Sequence, residues 1–298
     1  METARKIGRL AEALEAQSFV VTAELNPPKG TNLEPLLNKA MMLKDRVHAF
    51  NLTDSHTSRM AISPLAVARL LLERDIETIL QVTCRDRNRI ALQSDLLGAY
   101  ALGIRNVLCM TGDDPKLGDH PEAKPVFDLG AITLLKGLTA LQAGRDISGH
   151  ALQGTPRFWV GAVANPGADD LPTELERMQE KIEAGAQFFQ TQAIYDPRVF
   201  ERFVQAASAY NVPILPSIIL LKSAHMAQYF NDHVPEVFVP QDVIAEMAAA
   251  PQPETASVQI AARLIKALRP MCQGVHVIAI GWESRIPQIL DDAGLEAG

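Results

Sequence analysis

The sequence predicts an α/β protein, a single (β/α)8 TIM barrel with an elaborated seventh β/α unit, on three observations. Eight short runs rich in β-branched and aromatic residues alternate with longer runs of helical periodicity. The 298 residues match the size of one such barrel. A doubly wound sheet of the same elements would more often carry a glycine-rich phosphate loop after its first strand, where this chain has ELNPPKG.

The N-terminal segment METARKIGRLAEALEAQ, residues 1–17, reads as a charged amphipathic helix extending ahead of the barrel. It lacks the apolar stretch of a signal peptide. The first strand is FVVTAEL (19–25), stopped by Pro27-Pro28, and a helical run over 33–46 follows. After the strand HAFNLTD (48–54), helix 63–74 opens on a Ser cap with Pro at its first position. The strand ETILQVTC (77–84) leads to helix 90–103, closed by glycine. NVLCMTG (106–112) precedes the loop 113–128, the longest expected, rich in Pro, Gly and Asp. Helix 129–142, strand FWVGAVAN (158–165), helix 171–184, strand QFFQTQ (187–192), helix 196–209 and strand PILPSIIL (213–220) continue the alternation. The seventh unit then holds three helical segments, 223–230, 240–249 and 255–268, before strand GVHVIAIG (274–281) and a last helix over 286–293. No internal repeat or linker interrupts residues 1–298, so one domain is expected.

Composition narrows the function. The net charge is −7 and the pI about 5.5, with no dense Lys/Arg cluster, which argues against nucleic acid as a partner. No run of about 18 apolar residues is present, which argues against a membrane span. The cysteines Cys84, Cys109 and Cys272 are odd in number and far apart, so buried free thiols in a reducing cytoplasm are expected. The seven histidines are scattered, with no metal-ligand spacing.

Active sites of such barrels lie at the C-terminal ends of the strands. Those ends carry Glu24, Thr53, Asp54, Gln81, Thr83, Thr111, Gly112, Asp113, Asn165, Gln190, Gln192, Lys222, Trp282 and Glu283. One polar tip is expected from solvation alone, but many converging on one mouth suit a small-molecule site. Glu24 in a partly apolar mouth is a candidate general acid. Asp113, in TGDDP, is either a turn-former or a second functional carboxylate. On helix 171–184, Glu174, Arg177 and Lys181 share one face, either a solvated, salt-bridged face or a pair of cations for a cofactor phosphate. No nucleophile elbow or P-loop occurs.

TAELNPP, NLTD, IRNVLCMTGDDP, EKIEAGAQFFQTQAIYD and GVHVIAIGW, in this order and over about residues 18–290, resemble the methylenetetrahydrofolate reductase family. The resemblance implies a flavin-bearing barrel, with FAD or FMN, that passes a hydride from NAD(P)H through the flavin to 5,10-methylenetetrahydrofolate, giving 5-methyltetrahydrofolate. It implies a place in one-carbon metabolism and methionine biosynthesis, a cytoplasmic location and a homo-oligomer. Glu24 matches the family's proton donor. Asp113 matches the aspartate that touches both pterin and flavin surroundings, and Gln192 matches the folate-contacting glutamine. The resemblance puts Thr53, Asp54, Gln81, Thr111, Gly112, Asp113, Asn165, Arg177 and Lys181 on the cofactor side, the last two toward the phosphate-bearing tail.

The chain departs from many members at several of these places. Thr111 stands for an Arg before GD, Gln81 for a His, Asn165 for a His before Pro, and Val163 for an aromatic residue. IILLKSAHMAQ lacks the Phe that stacks the nicotinamide in well-known bacterial members. The eighth strand ends in AIGWESRIP, more like the branch of acetogens and other anaerobes, where a partner subunit delivers electrons and FMN can replace FAD. The alternatives left open are therefore a flavin- or pterin-binding barrel subunit that needs such a partner, and a pterin-dependent methyltransferase.

Overall fold

The computed structural model describes residues 8–234 and 236–295. Eight strands close into one parallel barrel in sequence order: β1 (Val20–Leu25), β2 (Ala49–Leu52), β3 (Thr78–Thr83), β4 (Asn106–Met110), β5 (Trp159–Ala164), β6 (Phe188–Ala193), β7 (Ile214–Ile219) and β8 (Gly274–Ile278). Closure of β8 on β1 rules out the doubly wound alternative. The helices are α1 (Arg9–Glu15), α2 (Glu34–Leu43), α3 (Pro64–Leu72), α4 (Arg89–Ala101), α5 (Ala131–Gln142), α6 (Leu171–Glu183), α7 (Pro197–Ala206), α8 (Ala224–His233), α9 (Gln241–Ala249), α10 (Pro253–Leu268) and α11 (Ile286–Asp292). The seventh unit carries α8, α9 and α10, as expected. Residues 1–7 of the expected N-terminal helix lie outside the described residues.

Strand periodicity decides what each residue faces. Val21, Ala23, Phe50, Leu52, Leu80, Val82, Val107, Cys109, Val160 and Ala162 point outward into the large core beneath the helices. Their neighbours point inward. Val20, Ala49, Ile79, Leu108, Trp159, Phe188 and Leu215 fill the lower barrel, and Leu10, Ala11 and Leu14 of α1 pack against them. The α1 N-terminus is held by Glu77, whose carboxylate accepts from the backbone N–H of Arg9 (2.7 Å) and Leu10 (3.2 Å). Gly161 on the inner face leaves room for the Phe188 ring, which a Cβ there would meet at 2.4 Å.

Local details differ from expectation in two places. Ser63 stands before Pro64 at the start of α3, but its side chain makes no capping bond; Pro64 itself supplies the start. Asn88 does cap α4, accepting from the N–H of Ile90 and Ala91. In the long loop after β4, Asp114 rather than Asp113 forms the turn, accepting from Lys116 N–H. The thiols of Cys84 and Cys109 are buried, and burial pushes that of Cys84 up to about 11; Cys272 is only partly covered. Among the described residues, no helix is long and apolar enough to cross a membrane.

Candidate active site

Above the apolar lower layer the barrel interior turns polar. Thr22 and Glu24 of β1, Asn51 of β2, Gln81 of β3, Gln190 of β6, Ser217 of β7 and His276 of β8 are all buried. A barrel interior is usually filled by branched apolar residues, so these polar groups require partners. Asn51 and Gln190 meet across the barrel through paired amide bonds of 2.6 and 3.1 Å. Gln190 Nε2 also donates to Thr22 Oγ1 (3.3 Å), and Thr22 Oγ1 lies 2.9 Å from His276 Nδ1. His276 Nε2 lies 3.9 Å from Glu24 Oε2. The sequence places Gln190 at a strand end, but it lies a layer below the mouth as a link in this chain. Glu24, one residue before the end of β1 and 8% exposed, lies where the polar interior meets the mouth.

Around the rim, Thr53 donates its hydroxyl to Asn26 Oδ1 (2.9 Å). The buried Asp54 carboxylate accepts from the N–H and the hydroxyl of Thr83, each at 2.9 Å, and from the Arg87 guanidinium. Both residues after β2 therefore brace the mouth. Arg85, which the sequence does not single out, is buried at the end of β3, pairs with Asp86 and donates to the Asp54 carbonyl at 3.3 Å. Thr111 and Asp113 are exposed beyond β4, and between them Gly112 is forced: its φ is +93°, and a Cβ would lie 2.9 Å from that of Thr83. The Asp113 carbonyl accepts from Ser58 Oγ (3.0 Å).

The α6 face corrects the solvated reading. Glu174 is buried and accepts from Asn165 N–H at the end of β5 (2.9 Å). Lys181 reaches back to the Val163 carbonyl (2.7 Å), and burial lowers its pKa, with the Glu174 charge opposing. Asn165 Oδ1 accepts from Gly167 N–H (3.0 Å). Arg177 alone of the three is exposed. At the end of β6, Gln192 donates to Glu236 Oε2 (2.7 Å), a contact with the loop between α8 and α9 that the sequence does not announce. Burial raises the Glu236 pKa, and the charges of Asp113 and Glu174 add to that, which places three carboxylates on one side of the mouth. Across the mouth, the Lys222 ammonium lies 3.5 Å from the centroid of the Trp282 ring, and the buried Glu283 pairs with Lys39 (2.9 Å).

The chain shares sequence with proteins from yeasts, plants, animals and bacteria. Methylenetetrahydrofolate reductase 2 of Schizosaccharomyces pombe is 26% identical over 97% of this chain and 48% of its own length. A probable methylenetetrahydrofolate reductase (NADPH) of Caenorhabditis elegans is 21% identical over 96% of this chain and 44% of its own. The 5,10-methylenetetrahydrofolate reductase of Pectobacterium carotovorum is 24% identical over 70% of this chain and 67% of its own. The chain thus spans about half the length of the first two relatives. A solved structure of an uncharacterised Clostridium thermocellum protein, described as binding two copies of 5-methyl-5,6,7,8-tetrahydrofolic acid, superimposes with a TM-score of 0.68 at 16% identity, covering 96% of this chain and 99% of that one. That likeness carries the fold. The methylenetetrahydrofolate reductase family model matches residues 9–294, from the helix packed beneath the barrel to the end of the last helix, and the chain belongs to that family.

Proposed function

We propose that the chain reduces 5,10-methylenetetrahydrofolate to 5-methyltetrahydrofolate with a bound flavin, Glu24 acting as general acid. The observation that carries this is the placement of Glu24. It is a largely buried carboxyl on the inner face of β1, at the mouth, with its backbone fixed in the barrel. A carboxylic acid held this way can give its proton to a ring nitrogen of the folate and open the five-membered ring to an iminium. Asp113, exposed on the rim, suits the donor edge of a pterin, and Gln192, on the same side of the mouth, suits a second folate contact.

The donor set fits a flavin. Gly112 has no side chain because Thr83 and Arg85 fill the place of its Cβ, and that close packing fixes the rim backbone between Thr111 and Asp113. Thr111 offers an exposed hydroxyl, Gln81 and Asn165 offer amides, and Arg177 offers an exposed cation for a phosphate. Lys181 is already engaged by Val163, so Arg177 is the stronger phosphate ligand of the two. When bound, the flavin would supply the hydride. Thr53 and Asp54 support that side of the mouth through Asn26, Thr83 and Arg87.

A second reading concerns the electron donor. At the end of β7, Leu220 and Leu221 are buried and Lys222 lies over Trp282; an exposed phenyl ring, Phe238, lies beyond α8 rather than at the strand end. This favours electron delivery by a partner subunit, as in the branch that the AIGWESRIP end resembles, with FMN or FAD as the receiving group. Activity with a reduced dye but not with NADH or NADPH supports that variant; equal activity with NADH removes it. The main reading is tested by Glu24→Gln, which should retain folate and flavin but lose folate reduction. Normal turnover by that variant would sink it.

A further inference from the structure

The interior polar chain is directional, and its direction ends on Glu24. Gln190 Nε2 has two hydrogens, one directed to Asn51 Oδ1 and the other to Thr22 Oγ1. Thr22 Oγ1 therefore accepts from Gln190 and has its own hydrogen left to donate. Two acceptors are near it, His276 Nδ1 at 2.9 Å and the Val275 carbonyl at 3.5 Å; the shorter contact is the real hydrogen bond. His276 Nδ1 is then an acceptor, so in the neutral ring the hydrogen is on Nε2, the nitrogen facing Glu24 Oε2. His276 and Glu24 are 3% and 8% exposed at their side chains, which leaves little solvent to screen the contact.

We infer that His276 is a positioning residue for Glu24: its Nε2–H, aimed by Thr22, orients the carboxyl and stabilises the carboxylate left when Glu24 gives its proton to substrate. This rests on the acid role of Glu24 proposed above. No proton leaves His276 in the step; the Glu24 O–H bond breaks, the bond to the substrate nitrogen forms, and the new negative charge meets an existing donor. The 3.9 Å separation is longer than a hydrogen bond and suits an interaction that tightens as charge develops. The surrounding groups do not compete for this role. Thr22 on β1, Asn51 on β2, Gln190 on β6 and Ser217 on β7 do not titrate in the neutral range. The charged groups at the neighbouring strand ends have other partners: Asp54 with Arg87, Lys222 over Trp282, and Glu283 with Lys39.

The test combines nitrogen-15 NMR of the imidazole rings with pH–rate profiles of the folate half-reaction of the flavin-loaded chain. The expected spectrum shows His276 with a bare Nδ1 and a protonated Nε2, and Glu24→Gln moves its signals. His276→Leu should slow folate reduction by roughly 10- to 100-fold. It should also move the alkaline limb to higher pH, because a carboxylate without its donor is a weaker acid. His276→Gln, which keeps an amide donor, should recover much of the rate, and Thr22→Val should lose part of it. Flavin reduction by dye should be unchanged in all of these. An Nδ1–H tautomer, signals deaf to Glu24→Gln, or a His276→Leu profile with an unmoved limb would overturn the inference. If the wild-type chain itself fails to reduce the folate, the reductase reading falls instead.

Discussion

Gln192 at the end of β6 donates to Glu236 at 2.7 Å, so the amide assigned to the folate is engaged by a rim carboxylate of the α8–α9 loop. Under the proposed function, folate competes with that contact. Gln192→Ala should raise KM for the folate about tenfold, the cost of one hydrogen bond, with kcat and flavin content little changed. Glu236→Ala frees the amide and should lower KM. Steady-state kinetics with a reduced dye as donor reads both; a Glu236→Ala variant with raised KM would make Glu236 a substrate ligand instead.

Arg177 and Lys181 should separate cleanly. Arg177→Ala removes an exposed cation, so flavin retention on gel filtration should fall while the urea midpoint stays unchanged. Lys181→Met strips the Val163 carbonyl of its donor and should cost about 1–3 kcal/mol in urea unfolding. A reversal of these two outcomes would assign the phosphate to Lys181.

Gly112→Ala places a Cβ against Thr83 on a backbone at positive φ. The expected cost is about 1–3 kcal/mol, together with weakened flavin binding as the neighbouring Thr111 and Asp113 shift. Equilibrium unfolding and flavin titration check the two effects separately.

Asp54→Asn should destabilise the fold by about 3 kcal/mol, since the Arg87 guanidinium and both Thr83 donors lose a charged acceptor in a buried place. Thermal melts read this directly. A melt within error of wild type would free Asp54 for a direct cofactor role.

Asp128 ties the far end of the long rim loop to the start of α4. The Arg89 side chain and N–H hold its carboxyl down at about 2, below the ordinary carboxylate value. Because the folded value is depressed, its contribution is complete above roughly pH 4 and is lost as pH falls toward 2. Asp128→Asn should therefore flatten the fall in melting temperature between about pH 4 and 2. A slope equal to wild type would show that other carboxylates govern acid unfolding.

The barrel could be read from the chain because strand and helix periods alternate cleanly: Val20, Thr22 and Glu24 point inward while Val21 and Ala23 meet the helices. Glu24 stood out as an acid at the tip of an apolar strand. The groups beneath it did not, because the contact of Asn51 with Gln190 depends on the register of strands 139 residues apart. His276 had one faint signal, a lone ionisable side chain within GVHVIAIG. Glu174 and Lys181 resemble a solvated ion-pair face in sequence, yet the backbone groups they satisfy at the end of β5 become visible only when α6 packs there. Glu236 lies in a loop whose path over Gln192 no local pattern records.

If Glu24 supplies the proton for folate reduction, its replacement should block that step alone. The most direct measurement is anaerobic stopped-flow reoxidation of the flavin in dye-reduced protein mixed with 5,10-methylenetetrahydrofolate, for wild type and Glu24→Gln. Wild type should reoxidise rapidly and form 5-methyltetrahydrofolate. In Glu24→Gln the flavin should stay reduced although folate binds. Reoxidation of the variant at the wild-type rate would contradict the acid role of Glu24.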